Sequence, residues 1–234
     1  MKTVTGVILL AGQSTRYNKG INKNLDSLDD KLVITHSIKK FLNNEYVNEL
    51  ILVVRPEDID EVLKDVHSNI ERTKPIKIVP GGSTRQESVY NALQIVNSDI
   101  VIIHDGARPL VRDKYIRGCI ESMDEYYAST IAVKSKDTIK IGNDKNEVIE
   151  TTDRANTWIV QTPQCFDTEI LKFVHEKYQN MVATDDCSLV EREGVTVKLI
   201  EGDYTNIIIS VSKMKTKKIM KITKSLKKKK KRRN

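Results

Sequence analysis

Four short apolar runs recur through the first hundred residues: TGVILL at 5–10, ELILVV at 49–54, IKIV at 76–79 and IVII at 100–103. They are rich in β-branched residues and too short for buried helices, so they read as strands. Between them the apolar spacing changes. Leu32, Ile34, Ile38 and Phe41 recur at helical intervals within residues 32–42, residues 59–66 form a second helix, and residues 83–96 carry Val89, Ala92, Leu93 and Val96 on one face. Strands apolar on both faces must be covered on both, and strands alternating with helices are joined by crossovers that leave neighbours parallel. The expected fold is α/β with a mainly parallel central sheet, its ligand lying at the carboxyl ends of the strands.

The rhythm changes after Ile120. Residues 129–133, 138–141 and 147–151 are short extended pieces broken by Gly142-Asn143-Asp144, a turn signal, and read together as an antiparallel excursion or arm. Alternation returns with helices at about 168–178 and 185–193 and a strand at 195–200. The expected organisation is one domain over residues 1–212, with an arm at about 134–157, followed by a basic low-complexity tail at 213–234. Partitioning the charge supports that boundary. The chain carries a net charge of +7, yet 13 of its 39 Lys and Arg and none of its 32 acids fall in residues 213–234, leaving the body at −6. Such a tail can bind nucleic acid or an anionic membrane by charge alone, without reading sequence.

The 39% hydrophobic and 30% charged content is that of a globular chain, with no run of 18 apolar residues and no small-residue cleavage site after MKTVTGVILLAG. A cytoplasmic protein is expected. Cys119, Cys165 and Cys187 are odd in number and widely spaced, which argues against a disulfide framework or thiolate metal cage and reads as core filling. His36, His67 and His175 have no metal-ligand spacing and read as surface or capping residues, and Trp158 as packing.

Three loops can carry chemistry. LAGQSTR follows the first strand: Ala11 and Gly12 leave the backbone bare, so that successive N–H groups can face phosphate oxygens, and Arg16 and Lys23 follow as cations. The run is neither GxGxxG nor GxxxxGK[ST], and a plain tight turn with surface cations is the alternative. HDGARP follows the fourth strand. Asp105 can hold a ribose hydroxyl or a metal there, Gly106 and Ala107 leave room for a bound group, and Arg108 can fork onto a phosphate. Asp105 capping a turn with Arg108 paired at the surface is the structural alternative. In GGSTRQES, Gly82 precedes Ser83, read as a helix cap with Glu87 in the first turn, and Ser83 and Ser88 offer small polar groups to the crevice. Thr138 and Arg154, in the arm, can clamp a second phosphate or belong to an ordinary surface ladder.

In chain order, LAGxxxR, GG(S/D)xRxxS, HDGARP, the KDT of residues 136–138, the TDR of 152–154, the QTPQ of 161–164 and the TDD of 184–186 resemble the 2-C-methyl-D-erythritol 4-phosphate cytidylyltransferase family. The resemblance covers about residues 4–209. The ribitol-5-phosphate cytidylyltransferases are close relatives, but HDGARP and TTDRANTWIVQTPQ are more similar to the methylerythritol branch. It implies a Rossmann-like nucleotidyltransferase fold with an antiparallel dimerisation arm. It also implies transfer of CMP from CTP to methylerythritol 4-phosphate, Mg²⁺ on the triphosphate, and a homodimer.

By match, Ala11 and Gly12 would hold CTP through the backbone, with Arg16 and Lys23 on its triphosphate as catalytic cations. Gly82, Ser83 and Ser88 would lie by the base and ribose, and Asp105, Gly106 and Ala107 would line the nucleotide site. Arg108, Thr138 and Arg154 would face the acceptor phosphate, the last two serving the neighbouring subunit, with Arg154 also counted as catalytic. The chain departs from the family pattern at Ser14, usually glycine, at Asn22, usually proline, and at Ile208, where the NIK stretch has lysine. A basic tail also stands in place of a TPEDL-like helix start.

Overall fold

The computed structural model describes residues 2–12, 25–28 and 31–209. Its main sheet has seven strands: β1 (Val4–Leu9), β4 (Glu49–Val54), β5 (Ile76–Pro80), β6 (Ile100–Asp105), β7 (Ala128–Lys134), β10 (Trp158–Asp167) and β11 (Val197–Glu201). Their order across the sheet is β11-β7-β10-β6-β1-β4-β5. β1 pairs in parallel with β4 and β6, β4 with β5, and β11 with β7; β10 alone runs antiparallel, to both β6 and β7. The mainly parallel sheet expected from the apolar runs is present.

Side-chain alternation explains why the runs of the central strands β1, β4 and β6 are apolar nearly throughout. On β1, Val4 and Ile8 enter one core and Val7 and Leu9 the other. On β6, Ile100 and Ile102 face the first while Val101 and Ile103 face the second. The first core is closed by α1 (Val33–Leu42), α2 (Ile59–Asn69) and α4 (Asp113–Glu121), through residues such as Phe41, Val62 and Ile116. The second is closed by α3 (Arg85–Leu93), α5 (Thr168–Lys177) and α6 (Cys187–Glu191), through Leu93, Val174 and Leu189. Each such side chain removed from water contributes about 1.5–3 kcal/mol, and a one-residue change of register would send each into the opposite core, where it meets different packing partners.

Three readings are corrected by the structure. Residues 129–133 belong to β7 in the main sheet, not to the excursion, because β10 pairs with β7 from Trp158 to Phe166. Only β8 (Lys140–Gly142) and β9 (Val148–Thr151) leave the sheet, as an antiparallel pair joined by a turn in which Asn146 has φ of 62°. Ser83 does not cap α3. Thr84 does, its hydroxyl accepting the Glu87 N–H at 3.0 Å, while Ser83 donates its N–H and hydroxyl to the Glu87 carboxylate at 2.6 and 2.5 Å. His175 is not at the surface but 1% exposed in α5. The sequence also gave no warning of the two-residue strands β2 (Ser27–Leu28) and β3 (Lys31–Leu32), which pair with each other. The three cysteines are free and buried, as expected of core fillers.

Among the described residues no helix is long and apolar enough to cross a membrane.

Candidate functional site

β1, β5 and β6 end at the same edge of the sheet, and beyond each the backbone keeps its neighbour in place. Leu10 N–H donates to the Val53 carbonyl at 2.8 Å, Gly81 N–H to Val54 at 2.8 Å, and Gly106 N–H to Leu9 at 3.0 Å. Two of these loops approach so closely that glycine is required. A Cβ on Gly81 would lie 2.2 Å from the Ala11 Cβ, and one on Gly106 would lie 2.2 Å from Leu10 Cδ2 and 3.1 Å from the Leu9 carbonyl.

Above this edge is a cavity of about 320 Å³ lined by Leu9, Ala11, Gly12, Gly82, Ser83, Thr84, Arg85, Ser88, Asp105, Ala107 and Ile208. Seven residues singled out in the sequence are thus brought together: Ala11, Gly12, Gly82, Ser83, Ser88, Asp105 and Ala107. Gly106 is not part of the wall and packs against β1 below it. Ser88 fixes the wall locally, accepting the Gly82 N–H at 3.0 Å and donating its hydroxyl to the Thr84 carbonyl at 2.8 Å.

Asp105 carries the cavity's acidic charge between two guanidinium groups. Arg108 Nε is 3.2 Å from one carboxylate oxygen and Arg85 Nε is 3.8 Å from the other. Burial works against the carboxylate's charge, but Arg85 and Arg108 outweigh it and hold Asp105 below the usual carboxylate range. Arg108 is itself buried and donates through Nη1 to the Asn206 carbonyl at 2.7 Å, so its guanidinium does not line the cavity. Burial moves Arg108 down from its ordinary value. Arg85 is moved the other way: burial opposes its charge, and the Asp186 and Asp105 carboxylates more than compensate. Arg85 Nη1 meets Asp186 Oδ2 at 2.7 Å, and the second Asp186 oxygen lies 3.0 Å from His175 Nε2.

Behind Asp105 the neighbouring strand supplies polar support. Asp105 N–H donates to Thr162 Oγ1 at 3.0 Å, and Thr162 is hydrogen-bonded at 3.0 Å to Nδ1 of His104. Nε2 of His104 donates to the Arg108 carbonyl at 3.3 Å, which leaves Nδ1 to accept the Thr162 hydroxyl. Burial pushes the imidazole down to about 4, so His104 is a neutral spacer rather than a proton carrier at neutral pH. Asn206 closes the rear by donating to Gln161 Oε1 at 3.0 Å and the Thr162 carbonyl at 2.9 Å.

Thr138 and Arg154 are exposed beside the β8–β9 pair and do not line this cavity. Arg16 and Lys23 lie outside the described residues, as do Ser14, Asn22 and the tail. Two cavity groups had no role in the sequence reading: Arg85, although the GG(S/D)xRxxS pattern contains it, and Thr84. Ile208, noted there only as a departure, is 39% exposed on the cavity wall.

The described residues hold no cluster of three or more side chains able to bind a metal. One carboxylate, Asp105, on the cavity wall suits a magnesium ion that takes most of its ligands from substrate phosphates and water.

Comparison with known proteins places these features in context. Residues 4–217 match the family model described as 2-C-methyl-D-erythritol 4-phosphate cytidylyltransferase. A protein of that name from Caldanaerobacter subterraneus is 44% identical over 88% of this chain and 93% of its own length. Another from Clostridium botulinum is 41% identical over 87% and 90%. Among solved structures, 4-diphosphocytidyl-2C-methyl-D-erythritol synthase from Anaerococcus prevotii superposes with a TM-score of 0.81 at 28% identity, covering 90% of this chain and 94% of that one.

Proposed function

The chain belongs to the 2-C-methyl-D-erythritol 4-phosphate cytidylyltransferase family, and on that premise we propose that the cavity binds CTP for transfer of its CMP moiety to 2-C-methyl-D-erythritol 4-phosphate. The products are 4-diphosphocytidyl-2-C-methyl-D-erythritol and pyrophosphate. The observation that carries the reading is the meeting of Ala11, Gly12, Gly82, Ser83, Ser88, Asp105 and Ala107 around one cavity at the carboxyl edge of the sheet. The names of the relatives do not favour a ribitol phosphate acceptor.

The reaction needs no dedicated general base. A phosphate monoester is largely dianionic at neutral pH, its second ionisation lying near 6. One of its oxygens forms a bond to the α-phosphorus of CTP while the bond from that phosphorus to the pyrophosphate oxygen breaks. The obstacle is repulsion between anions and charge growth on the α-phosphoryl oxygens, so positioning and fixed positive charge supply the catalysis.

In this reading the peptide groups at Ala11 and Gly12 face the phosphates, and Arg16 and Lys23 supply positive charge to the triphosphate. Gly82, Ser83 and Ser88 flank the base and ribose. Asp105, held between Arg85 and Arg108, would be the carboxylate available to the nucleotide and its Mg²⁺, with Ala107 beside it on the wall and Gly106 packed against β1 beneath. When bound, magnesium supplies charge neutralisation on the triphosphate. Arg108, turned to Asp105 and the Asn206 carbonyl, fixes that carboxylate from behind instead of reaching the acceptor phosphate itself.

The arm completes the assignment. Ile141, Val148 and Ile149 on the β8–β9 pair, with Ile139 beside it, are exposed apolar side chains, Ile149 to 67%. Such a patch calls for a cover, and we assign it to a second copy of the chain in a homodimer. Thr138 and Arg154 then reach the partner's acceptor phosphate, with Arg154 a catalytic cation. A cytoplasmic location fits small phosphorylated substrates.

The test is pyrophosphate release with each of CTP, ATP, GTP and UTP against methylerythritol 4-phosphate and ribitol 5-phosphate. Release confined to CTP with methylerythritol 4-phosphate is expected. Absence of release with that pair, or faster release with ribitol 5-phosphate, would overturn the assignment.

A further inference from the structure

His175 lies in α5, away from the cavity wall, yet it ends a chain of contacts that reaches the cavity. It is 1% exposed, and its Nε2 is 3.0 Å from Oδ1 of Asp186, itself 1% exposed. A carboxylate only accepts, so Nε2 carries the hydrogen. Nδ1 is buried with no hydrogen-bond partner, which leaves the contact to Asp186 as the polar interaction that orients the ring.

The other Asp186 oxygen accepts from Arg85 Nη1 at 2.7 Å. Arg85 is the first residue of α3 and a cavity-lining side chain, and its Nε faces Asp105 at 3.8 Å. The three helices α3, α5 and α6 are thereby joined at one anion, since Asp186 immediately precedes α6.

The two oxygens of Asp186 do different work. Oδ2 holds the guanidinium, and Oδ1, if deprived of the imidazole hydrogen, would be a buried anionic oxygen lacking that donor. The carboxylate would turn to recover one, and the short contact at Arg85 would turn with it. Arg85 would then lose its fixed orientation toward Asp105.

We propose that His175 is a positioning residue for nucleotide binding, acting through Asp186 on the Arg85 guanidinium, a role that rests on the CTP-site reading above. His175 touches neither substrate nor the reacting atoms; it sets the angle at which Arg85 meets the cavity.

Three variants of the full chain test this: His175→Leu, His175→Asn and His175→Gln. The glutamine amide reaches about as far as Nε2 and restores a donor to Asp186, whereas the asparagine amide stops short and leucine has none. KM for CTP and kcat are measured well below each variant's unfolding temperature, with CTP binding followed by calorimetry. His175→Asn and His175→Leu are expected to raise KM for CTP about tenfold, with kcat within about twofold of the parent, the size of change that losing a hydrogen bond to a charged group produces. His175→Gln is expected to stay within about twofold of the parent in both. Were the leucine variant not to fold, the asparagine and glutamine pair decides.

Equal KM in the asparagine variant and the parent, equal rises in the asparagine and glutamine variants, or a loss in kcat alone would each overturn the role. A parent protein that neither binds nor turns over CTP would instead overturn the CTP-site reading itself, and this inference with it.

Discussion

Arg85 Nη1 and Asp186 Oδ2 stand 2.7 Å apart although 101 positions separate them in the chain. This contact fastens the first turn of α3 to the segment that opens α6, and its anion has almost no access to water. Burial alone would raise the Asp186 carboxyl, but Arg85 and His175 reverse the sign and hold it at about 2, against an ordinary value of 3.8. A carboxylate depressed in the folded state contributes stability that is complete above its unfolded value and lost as pH falls through the folded one.

Asp186→Asn is therefore expected to cost stability at pH 7, with about 2 kcal/mol of the difference arising from this ionisation. The gap between parent and variant should narrow as pH falls from about 4 to about 2. Urea unfolding of both proteins across that interval is the measurement. A gap that stays constant would mean that the ionisation is not coupled to folding.

Lys23→Ala is expected to depress turnover about 100-fold while changing CTP affinity far less, as for the loss of one electrostatic contact that strengthens in the transition state. Steady-state kinetics alongside equilibrium CTP binding separates the two effects. Near-normal turnover would remove Lys23 from the proposed mechanism.

Ile208→Lys returns a cation to the cavity wall at the position where the family pattern has lysine. Ile208 is 39% exposed there, so the longer side chain can extend into the cavity, where the nucleotide phosphates are proposed to lie. The variant should raise kcat/KM for CTP, by about tenfold if the added charge contributes a single charge-assisted contact. An unchanged or lower value would show that the chain has no use for a cation at this place.

Ile149→Asp puts a charge on the exposed apolar side of the arm. Surface changes of this kind usually move protomer stability by no more than about 0.5 kcal/mol, so the fold should survive. Sedimentation should report a shift from dimer toward monomer, with a parallel fall in turnover if Arg154 serves the partner's site. A sedimentation profile and rate identical to the parent's would place the subunit interface elsewhere.

Much of this architecture was readable in the sequence because the central parallel strands β1, β4 and β6 are buried on both faces and so had to be nearly continuous apolar runs. The same logic explains what was missed. β10, the ten-residue strand Trp158–Asp167, contains Gln161, Thr162 and Gln164, all buried and all hydrogen-bonded inside the protein. Its composition resembles a loop because those polar groups find partners across the fold that no local pattern announces. α4 was missed since only Tyr115, Ile116, Cys119 and Ile120 mark its buried side, between charged neighbours.

At the site, glycines and small polar residues on loops were legible because close backbone approach demands them. Arg85 was not, since an arginine one residue into a helix is unremarkable until Asp105 and Asp186 arrive from distant parts of the chain. The burial of His175 was invisible for a related reason: its partner lies 11 residues away in another helix's approach.

The hydrogen bonds that carry Leu10, Gly81 and Gly106 past the ends of their strands have a consequence for how such a protein can diversify. The floor of the cavity is a woven hem of peptide groups, indifferent to most of the side chains it bears. Substitutions along the rim can retune which base or sugar phosphate is welcomed without loosening the weave, whereas adding one methyl at Gly81 or Gly106 would pull the hem itself out of line.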